Sequence, residues 1–282
     1  MVPITPVSTR FAPSPTGGLH LGHAYAAWIA HDRARATGGR FLLRMEDIDQ
    51  TRCRPAFEAG IIADLTWLGL RFDGPVRRQS EHFDDYRAAL SRLESLGVLY
   101  PCFCTRSEIA AAVGAPQGPA GPLYPGTCRH LSAGERQDRL AEGHDHALRL
   151  DIARARTLVG GDLHWHDEKA GRQQARPEQL GDVVLARKET PTSYHLAVTV
   201  DDALQEITLV TRGIDLFPAT HIHRLLQALL GLPVPAYAHH GLVMGEDGIR
   251  LAKRDKALTL AAMRDAGATA AELRQRLGLA AF

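Results

Sequence analysis

The chain has 282 residues, a formal net charge of +1, 45% hydrophobic residues and 23% charged residues. These values are ordinary for a folded globular protein, and they exclude both a disordered chain and a uniformly basic nucleic-acid-binding protein. No apolar run approaches the roughly 18 residues that a membrane span requires, and the N-terminus lacks a signal-peptide pattern. We therefore expect a cytoplasmic enzyme with no membrane partner.

Residues 10–23 form the most informative stretch, with the sequence Arg-Phe-Ala-Pro-Ser-Pro-Thr-Gly-Gly-Leu-His-Leu-Gly-His. This turn, rich in proline and glycine, precedes residues 24–36, which read as a helix. His20, Gly22 and His23 therefore lie at or near a helix N-terminus, where free N–H groups and the helix dipole attract anions. The spacing is not that of a Walker A loop or a dinucleotide fingerprint, and a turn with two incidental histidines is the alternative.

Short apolar runs predict the strands. Residues 41–45 read as a buried strand that ends in Glu46-Asp47-Ile48-Asp49, and carboxylates at this end of a strand suit a site in an open α/β sheet. A solvated acidic turn is the alternative interpretation. Residues 196–200 predict an interior parallel strand, and residues 207–211 predict a second strand that delivers Arg212 to the carboxyl edge of the sheet.

Apolar residues at helical spacing, together with capping residues, predict further helices. Ser80 is expected to cap a helix over residues 83–96. Thr220 is expected to cap another helix, which Gly231 ends. The tail from residue 259 to 282 predicts one or two short amphipathic helices.

Three of the four cysteines, Cys102, Cys104 and Cys128, lie close together in the sequence. In a reducing cytosol, clustered thiols indicate a metal site more than a disulfide. Zinc prefers four tetrahedral ligands, usually sulfur or nitrogen, so three thiolates leave one position for which His130 is the chemically obvious candidate. Cysteines that bind no metal are the alternative.

Residues 13–23 resemble the HIGH signature of class I aminoacyl-tRNA synthetases, in the form that glutamyl-tRNA synthetases use. Three further patterns match that family: Arg-x-Glu-Asp-x-Asp at 44–49, Tyr-His-Leu-Ala-x-x-x-Asp-Asp at 194–202, and Arg-Gly-x-Asp at 212–215. The resemblance covers nearly the whole chain. It implies an α/β fold with a Rossmann-type nucleotide-binding parallel sheet. It also implies an insertion that binds zinc and contacts the acceptor nucleic acid, and a short helical C-terminal segment.

The same resemblance implies a division of the chain. Residues 1–104 and 188–244 would form the two halves of the catalytic domain, and residues 105–187 would form the insertion with the zinc site and the nucleic-acid-contacting region. Residues 245–282 would form a loop and a helical tail. We expect no anticodon-binding domain, which a full glutamyl-tRNA synthetase carries after its catalytic part.

Site residues carry over from the family motifs position by position. The resemblance implies an ATP-binding set made of Pro13, Gly17, Gly18, His20, Gly22, His23 and Lys253. Within that set, it implies that His20, His23 and Lys253 are catalytic. It also implies a glutamate-binding set made of Arg10, Ala12, Ser14, Glu46, Tyr194 and Arg212. The resemblance implies that Glu46 binds the ammonium group of the substrate. A core tyrosine and a surface arginine are the alternative interpretations of Tyr194 and Arg212.

Residues 250–254, Arg-Leu-Ala-Lys-Arg, resemble the second signature of the family, Lys-Met/Leu-Ser-Lys. Arg250 replaces the first lysine and Ala252 replaces the serine, which removes one hydroxyl donor to the ATP phosphates. Lys253 keeps the second lysine. A basic surface loop is the alternative.

The cysteines narrow the resemblance to glutamyl-queuosine tRNA(Asp) synthetases, which carry Cys-x-Cys…Tyr-x-x-x-Cys with tyrosine as the fourth zinc ligand. Here that pattern implies one structural zinc ion bound by Cys102, Cys104, Tyr124 and Cys128. The position stays open between Tyr124 and His130.

This narrower resemblance implies tRNA-independent activation of L-glutamate with ATP and Mg²⁺, followed by transfer of glutamate to queuosine in the tRNA(Asp) anticodon. The expected partners are L-glutamate, ATP and tRNA(Asp) bearing queuosine, and the expected state is a monomer. Two alternatives remain: a truncated glutamyl-tRNA synthetase that charges tRNA(Glu), and a non-catalytic module that binds tRNA or ATP.

Overall fold

Strands and helices alternate along most of the chain, as in α/β proteins. The structure is a computed structural model, and it describes residues 5–111, 117–118, 121–243 and 258–280. The helices are α1 Leu21–Ala36, α2 Pro55–Trp67, α3 Phe83–Ser95, α4 Arg106–Ala111, α5 Ala133–Ala141, α6 Ile152–Val159, α7 Tyr194–Leu204, α8 Ala219–Leu230, α9 Leu260–Asp265 and α10 Ala270–Arg276. The strands are β1 Thr9–Phe11, β2 Phe41–Met45, β3 Arg77–Arg78, β4 Leu99–Cys102, β5 Gln117–Gly118, β6 Gly121–Pro122, β7 Ala147–Leu150, β8 His164–Asp167, β9 Gly171–Gln174, β10 Val184–Arg187, β11 Leu209–Gly213 and β12 Ala236–His240.

The central sheet is built from parallel strands. On one side, β1 pairs with β2 and β2 with β3, and on the other β11 pairs with β12 and β12 with β8, all in parallel. The two halves meet where the amides of Thr208 and Leu209 donate to the carbonyl oxygen of Ser8 at 3.0 and 3.1 Å. Strand β9 adds one antiparallel edge to β8. The predicted parallel α/β sheet is therefore confirmed.

Helices cover both faces of this sheet. Phe41 and Leu43 of β2 pack into a core with α1, α2, α9 and α10, whereas Leu42 packs into a second core with α3, α6, α7 and α8. The alternation follows from the two-residue period of a strand, which points successive side chains to opposite faces. No described helix has the length and apolar character needed to cross a membrane.

A second, antiparallel sheet has the strand order β10-β7-β4 and carries Cys102 at the end of β4. Within residues 105–187, the range predicted as the insertion, β7 and β10 belong to this second sheet, whereas β8 and β9 extend the central one. The chain between β4 and α7 thus contributes to both sheets.

The strand prediction for residues 196–200 is wrong, because these residues lie in helix α7. Ser193 caps that helix by accepting a hydrogen bond from the Leu196 amide, and the helix is buried over most of its length. The five residues 196–200 are all buried and show no polar face, so their sequence cannot be told from a buried strand by periodicity alone.

Both predicted N-caps are also wrong. Ser80 bonds instead to the carboxylate of Asp47, and α3 starts after His82 without a side-chain cap. Helix α8 starts after Pro218, and the hydroxyl of Thr220 accepts from Arg212. The predicted end of α8 at Gly231, which has a positive φ of 67°, and the two short tail helices are confirmed.

Candidate active site

A cavity of about 330 Å³ opens at the carboxyl ends of β1, β2, β11 and β12. Ligands of open α/β sheets bind at this edge. Of the residues predicted for the site, the structure brings ten together on the cavity wall: Arg10, Ala12, Pro13, Ser14, His20, Gly22, His23, Glu46, Tyr194 and Arg212. Lys253 lies outside the described residues, together with the rest of the 250–254 signature.

The start of α1 is organised by its two histidines. His20 caps the helix, because its Nδ1 atom accepts from the Gly22 amide at 3.1 Å, and Nδ1 of His23 accepts from the His20 amide at 3.1 Å. Each Nδ1 is therefore unprotonated, and each neutral ring carries its proton on Nε2. A Cβ atom on Gly22 would lie 3.1 Å from Cε1 of His20, so glycine leaves room for the capping ring.

Gly17 and Gly18 do not line the cavity. A Cβ atom on Gly18 would lie 3.0 Å from Cγ2 of Thr259, whose neighbour Leu260 donates its amide to the Leu19 carbonyl at 2.8 Å. In the described part of the chain, Gly18 therefore makes a close contact with the helical tail. Direct contact of these two glycines with ATP stays a prediction.

Glu46 occupies the end of β2 with its carboxylate on the cavity. Its amide donates to the Pro13 carbonyl at 3.0 Å, which ties the end of β2 to the loop after β1. Oε1 accepts from Nη2 of Arg44 at 3.4 Å. Burial raises the pKa of Glu46, although Arg44 and Arg10 act in the opposite direction. A cationic group bound beside it would favour the ionised carboxylate.

Arg10 is held against Asp202 at the end of α7. Its Nε and Nη2 atoms donate to the two carboxylate oxygens at 2.9 and 3.4 Å, and Nη1 donates to the Thr211 carbonyl at 3.1 Å. A guanidinium has five N–H groups. One N–H on each Nη atom receives no acceptor from the described residues. Arg10 therefore has N–H groups left with which to bind a second carboxylate.

Asp202 also accepts from Nη1 of the fully buried Arg44 at 2.8 Å. Burial alone would raise the pKa of Asp202, but the positive charges of Arg10 and Arg44 lower it. Asp202 is thus ionised and orients two cations beside Glu46. No role was predicted for Asp202, although the Asp-Asp pair of the 194–202 motif is a sequence signal that includes it.

Arg212 has a different environment. Its guanidinium donates to Nε2 of His239 at 3.1 Å, to Nδ1 of His223 at 3.3 Å, to the Tyr194 hydroxyl at 3.4 Å, and to the hydroxyl of Thr220. The side chain is only 6% exposed, yet no described residue contributes a carboxylate to it. A buried cation without a counter-charge is unfavourable until an anion binds beside it.

The histidines around Arg212 are neutral. Burial lowers the pKa of His195 and of His239 to about 4 in each case, and the positive charge of Arg212 adds to the effect. Burial and Arg212 also lower the pKa of His223 well below its usual range. His239 and His223 orient Arg212 without adding charge, and His195 contacts His223 at 3.3 Å. Nothing in the sequence indicated that these rings meet.

The candidate metal centre lies in a different part of the fold. The sulfur atoms of Cys102, Cys104 and Cys128 lie within 4.8 Å of one another. The Tyr124 hydroxyl lies 3.7 Å from the Cys104 sulfur and accepts from the Cys128 amide at 2.7 Å. His130 contributes no atom to this group of ligand atoms. Three thiols and one phenol therefore converge on one point, and this donor set fits a four-coordinate zinc ion.

Comparison with known proteins places the chain in a family. The family described as tRNA synthetases class I (E and Q), catalytic domain, matches residues 6–281, so the chain belongs to it. The prediction of an aminoacyl-tRNA synthetase-type ligase that uses ATP is confirmed.

Similar proteins of known name match the resemblance predicted from the sequence. The chain is 52% identical to a glutamyl-Q tRNA(Asp) synthetase from Rhodobacter capsulatus over 96% of this chain and 99% of that protein. It is 40% identical to a glutamate–tRNA ligase from Aquifex aeolicus, covering 93% of this chain and 54% of that one. A crystal structure of a glutamate tRNA ligase from Elizabethkingia meningosepticum, in complex with its amino acid, superposes with a TM-score of 0.73 at 30% identity, covering 88% of this chain and 52% of that chain. The resemblance to glutamyl-queuosine tRNA(Asp) synthetases is confirmed.

Proposed function

We propose that the protein activates L-glutamate with ATP in the absence of tRNA, and then transfers the glutamate to queuosine in the anticodon of tRNA(Asp). The observation that carries the first step is Arg212, a buried cation whose described partners are all neutral. It shares one cavity with Glu46, the carboxylate suited to an ammonium group. A ligand with a carboxylate and an ammonium group satisfies both residues.

Glutamate has two carboxylates and one ammonium group, and the cavity offers one partner for each. In our proposal Arg10 and Arg212 bind the two carboxylates and Glu46 binds the ammonium group. Guanidinium forks match carboxylates in shape as well as charge. The Tyr194 hydroxyl accepts from Arg212, and in our proposal it donates its own proton to the substrate. Ala12 and Ser14 complete this wall of the cavity.

ATP would bind with its phosphates at the start of α1. We assign phosphate contacts to the Nε2–H groups of His20 and His23, with Pro13 and Gly22 close to the nucleotide and Lys253 approaching from the 250–254 signature. Mg²⁺ would accompany the phosphates and offset their charge. A carboxylate oxygen of glutamate then attacks the α-phosphate and pyrophosphate leaves. Because the carboxylate is already a nucleophile, the residues need only position the reactants and stabilise the charge on the phosphates.

The proposed transfer of glutamate to queuosine is supported by the similarity to proteins named glutamyl-Q tRNA(Asp) synthetase. The Rhodobacter capsulatus protein named for tRNA(Asp) matches this chain over nearly the full length of both. We therefore propose that the activated glutamate passes to a hydroxyl of the queuosine cyclopentenediol ring. A monomeric state and a cytoplasmic location belong to the same proposal.

One structural zinc ion is also proposed. Cys102, Cys104 and Cys128 would bind it as thiolates, with Tyr124 rather than His130 as the fourth ligand, because only Tyr124 lies among the thiols. The ion would hold the end of β4 to the short turn that contains Cys128. It would take no part in the reaction at the cavity.

Pyrophosphate exchange tests the activation step. The purified protein is mixed with ATP, Mg²⁺, labelled pyrophosphate and glutamate, and tRNA is left out. We expect label to enter ATP only when glutamate is present, and glutamine and aspartate to support far less exchange. Exchange that requires tRNA, or no exchange with any of these amino acids, would contradict the proposal.

A further inference from the structure

The Arg212 guanidinium is anchored from behind the cavity by His239. Nε2 of His239 accepts from Nε of Arg212 at 3.1 Å, and Nδ1 of the same ring lies 2.8 Å from Oδ2 of Asp167. His239 and Asp167 are 3% and 1% exposed, and neither lines the cavity. Within the described structure, these two residues therefore act on the cavity through Arg212.

The tautomer of His239 follows from its partners. Arginine has only donors, so the ring atom that faces Arg212 must be an unprotonated acceptor. The ring proton is then on Nδ1, where it donates to Asp167. The amide of His239 donates to the same carboxylate oxygen at 3.1 Å, so Asp167 fixes both the backbone and the ring.

We propose that His239, held by Asp167, is a positioning residue that aims Arg212 at the carboxylate of the amino-acid substrate and leaves its charge unneutralised. This inference rests on the proposed function of the cavity. A carboxylate in the place of His239 would orient the guanidinium equally well, but it would also pair with the positive charge. A neutral imidazole supplies a hydrogen-bond acceptor without a charge. The negative charge of Asp167 is separated from Arg212 by the His239 ring.

The contrast with Arg10 supports this role. Asp202 pairs directly with Arg10 at 2.9 Å, so that guanidinium meets its substrate partly neutralised. Among the described residues, the hydrogen-bond partners of Arg212 are two imidazoles and two hydroxyls. Arg212 therefore keeps the stronger attraction for an anion, and its orientation depends on neutral acceptors such as His239.

Two variants of His239 separate positioning from packing. Asparagine places its amide near the Nδ1 position, so His239→Asn keeps the bond to Asp167 and loses the acceptor for Arg212. Glutamine places its oxygen near the Nε2 position, so His239→Gln keeps the acceptor. In glutamate-dependent pyrophosphate exchange, we expect His239→Asn to raise the KM for glutamate by about tenfold or more, the value of one lost charge-assisted hydrogen bond. The KM for ATP and kcat should stay near wild type, and His239→Gln should recover most of the loss.

His221 provides the matched control. It is buried in α8, and like His239 it lies near the Trp165 ring, whose Nε1 donates to it at 3.4 Å. None of the hydrogen bonds described for Arg212 involves His221. His221→Asn should leave both KM values unchanged. The inference is overturned if His239→Asn leaves the KM for glutamate unchanged, if the KM for ATP rises with it, or if His221→Asn reproduces its effect.

Nitrogen NMR of histidine-labelled wild-type protein tests the tautomer without substrate or activity. We expect a protonated Nδ1 and an unprotonated Nε2 for His239 at neutral pH, and the opposite assignment would overturn the inference. This measurement also decides the case in which His239→Asn fails to fold. Absence of glutamate-dependent exchange in the wild type would contradict the proposed function instead, so the two failures are distinguishable.

Discussion

Arg10 and Asp202 form a buried ion pair, with Nε of the guanidinium 2.9 Å from Oδ1 of the carboxylate. The pair joins the first strand of the chain to the end of α7, 192 residues away in sequence. Arg44 donates to the same Oδ1 atom at 2.8 Å and also contacts Glu46. One carboxylate thus sets the positions of charged groups on two sides of the cavity.

Asp202→Asn should be strongly destabilising. It leaves Arg10 and Arg44 buried with one negative charge fewer, and breaking a buried pair in this way costs about 3 kcal/mol or more. Urea unfolding measures the loss of stability. The control is Asp145→Asn, which removes an exposed pair with Lys188 and should change nothing measurable. Equal stability of the Asp202 variant and wild type would show that Asp202 is not the anchor.

Arg212→Lys should weaken glutamate activation although it keeps the positive charge. Lysine lacks the planar fork that His239, His223 and a substrate carboxylate engage together. We expect kcat/KM for glutamate to fall by at least about tenfold, and further in Arg212→Gln, which also removes the charge. Arg224→Lys is the control, because Arg224 donates to the His164 carbonyl away from the cavity. Unaltered glutamate kinetics in Arg212→Lys would contradict the assignment of its fork to a carboxylate.

Because of its buried histidines, the folded protein should lose stability in mild acid. His195 and His239 have a pKa of about 4 in the folded protein, against about 6.5 in an unfolded chain. Between these values the unfolded chain binds more protons, so this stability is complete above about pH 6.5 and is lost as the pH falls toward about 4. Each group contributes up to about 1.4 kcal/mol per pH unit.

Urea unfolding at several pH values between about 7 and 5 tests this dependence. His195→Asn keeps an acceptor near the Nδ1 position that contacts His223, and its stability should fall less steeply with acid than that of wild type. His144→Asn, at an exposed histidine, should follow the wild-type curve. Identical pH dependence in all three proteins would refute the prediction.

Zinc should be present at about one ion per chain, as measured by elemental analysis. Without a cation, burial raises the pKa of Cys104 to about 11, and a bound dication would favour its thiolate. Cys128→Ser should lose the metal, and Tyr124→Phe should weaken binding by at least about tenfold. His130→Ala and Cys53→Ser should keep it. Loss of zinc in His130→Ala with full retention in Tyr124→Phe would assign the fourth ligand to His130.

Much of the site could be predicted because its residues belong to motifs that resemble those of a known family. Glu46 and Arg212 also directly follow apolar runs, and parallel strands bring such positions to one edge of a sheet. The residues that orient them were not predictable in the same way. Asp202 and His239 act through contacts between segments far apart in the sequence: the Asp-Asp motif marks Asp202 without showing its partners, and no predicted motif includes His239.

The errors in the fold have a similar origin. Residues 196–200 are buried on all sides, so their sequence carries no helical periodicity. Thr220 has the chemistry of an N-cap, but a tertiary partner, Arg212, takes its hydroxyl. Local propensity describes a residue apart from its tertiary contacts, and at Thr220 the hydrogen bond from buried Arg212 outweighs it.

The most direct test of the account is the destination of activated glutamate. Labelled glutamate, ATP and Mg²⁺ are incubated with the protein and with tRNA(Asp) that carries queuosine, tRNA(Asp) that lacks it, or tRNA(Glu). We expect label on tRNA(Asp) only when queuosine is present, and none on tRNA(Glu). Label on tRNA(Glu) but not on queuosine-bearing tRNA(Asp) would contradict it and identify a glutamate–tRNA ligase instead.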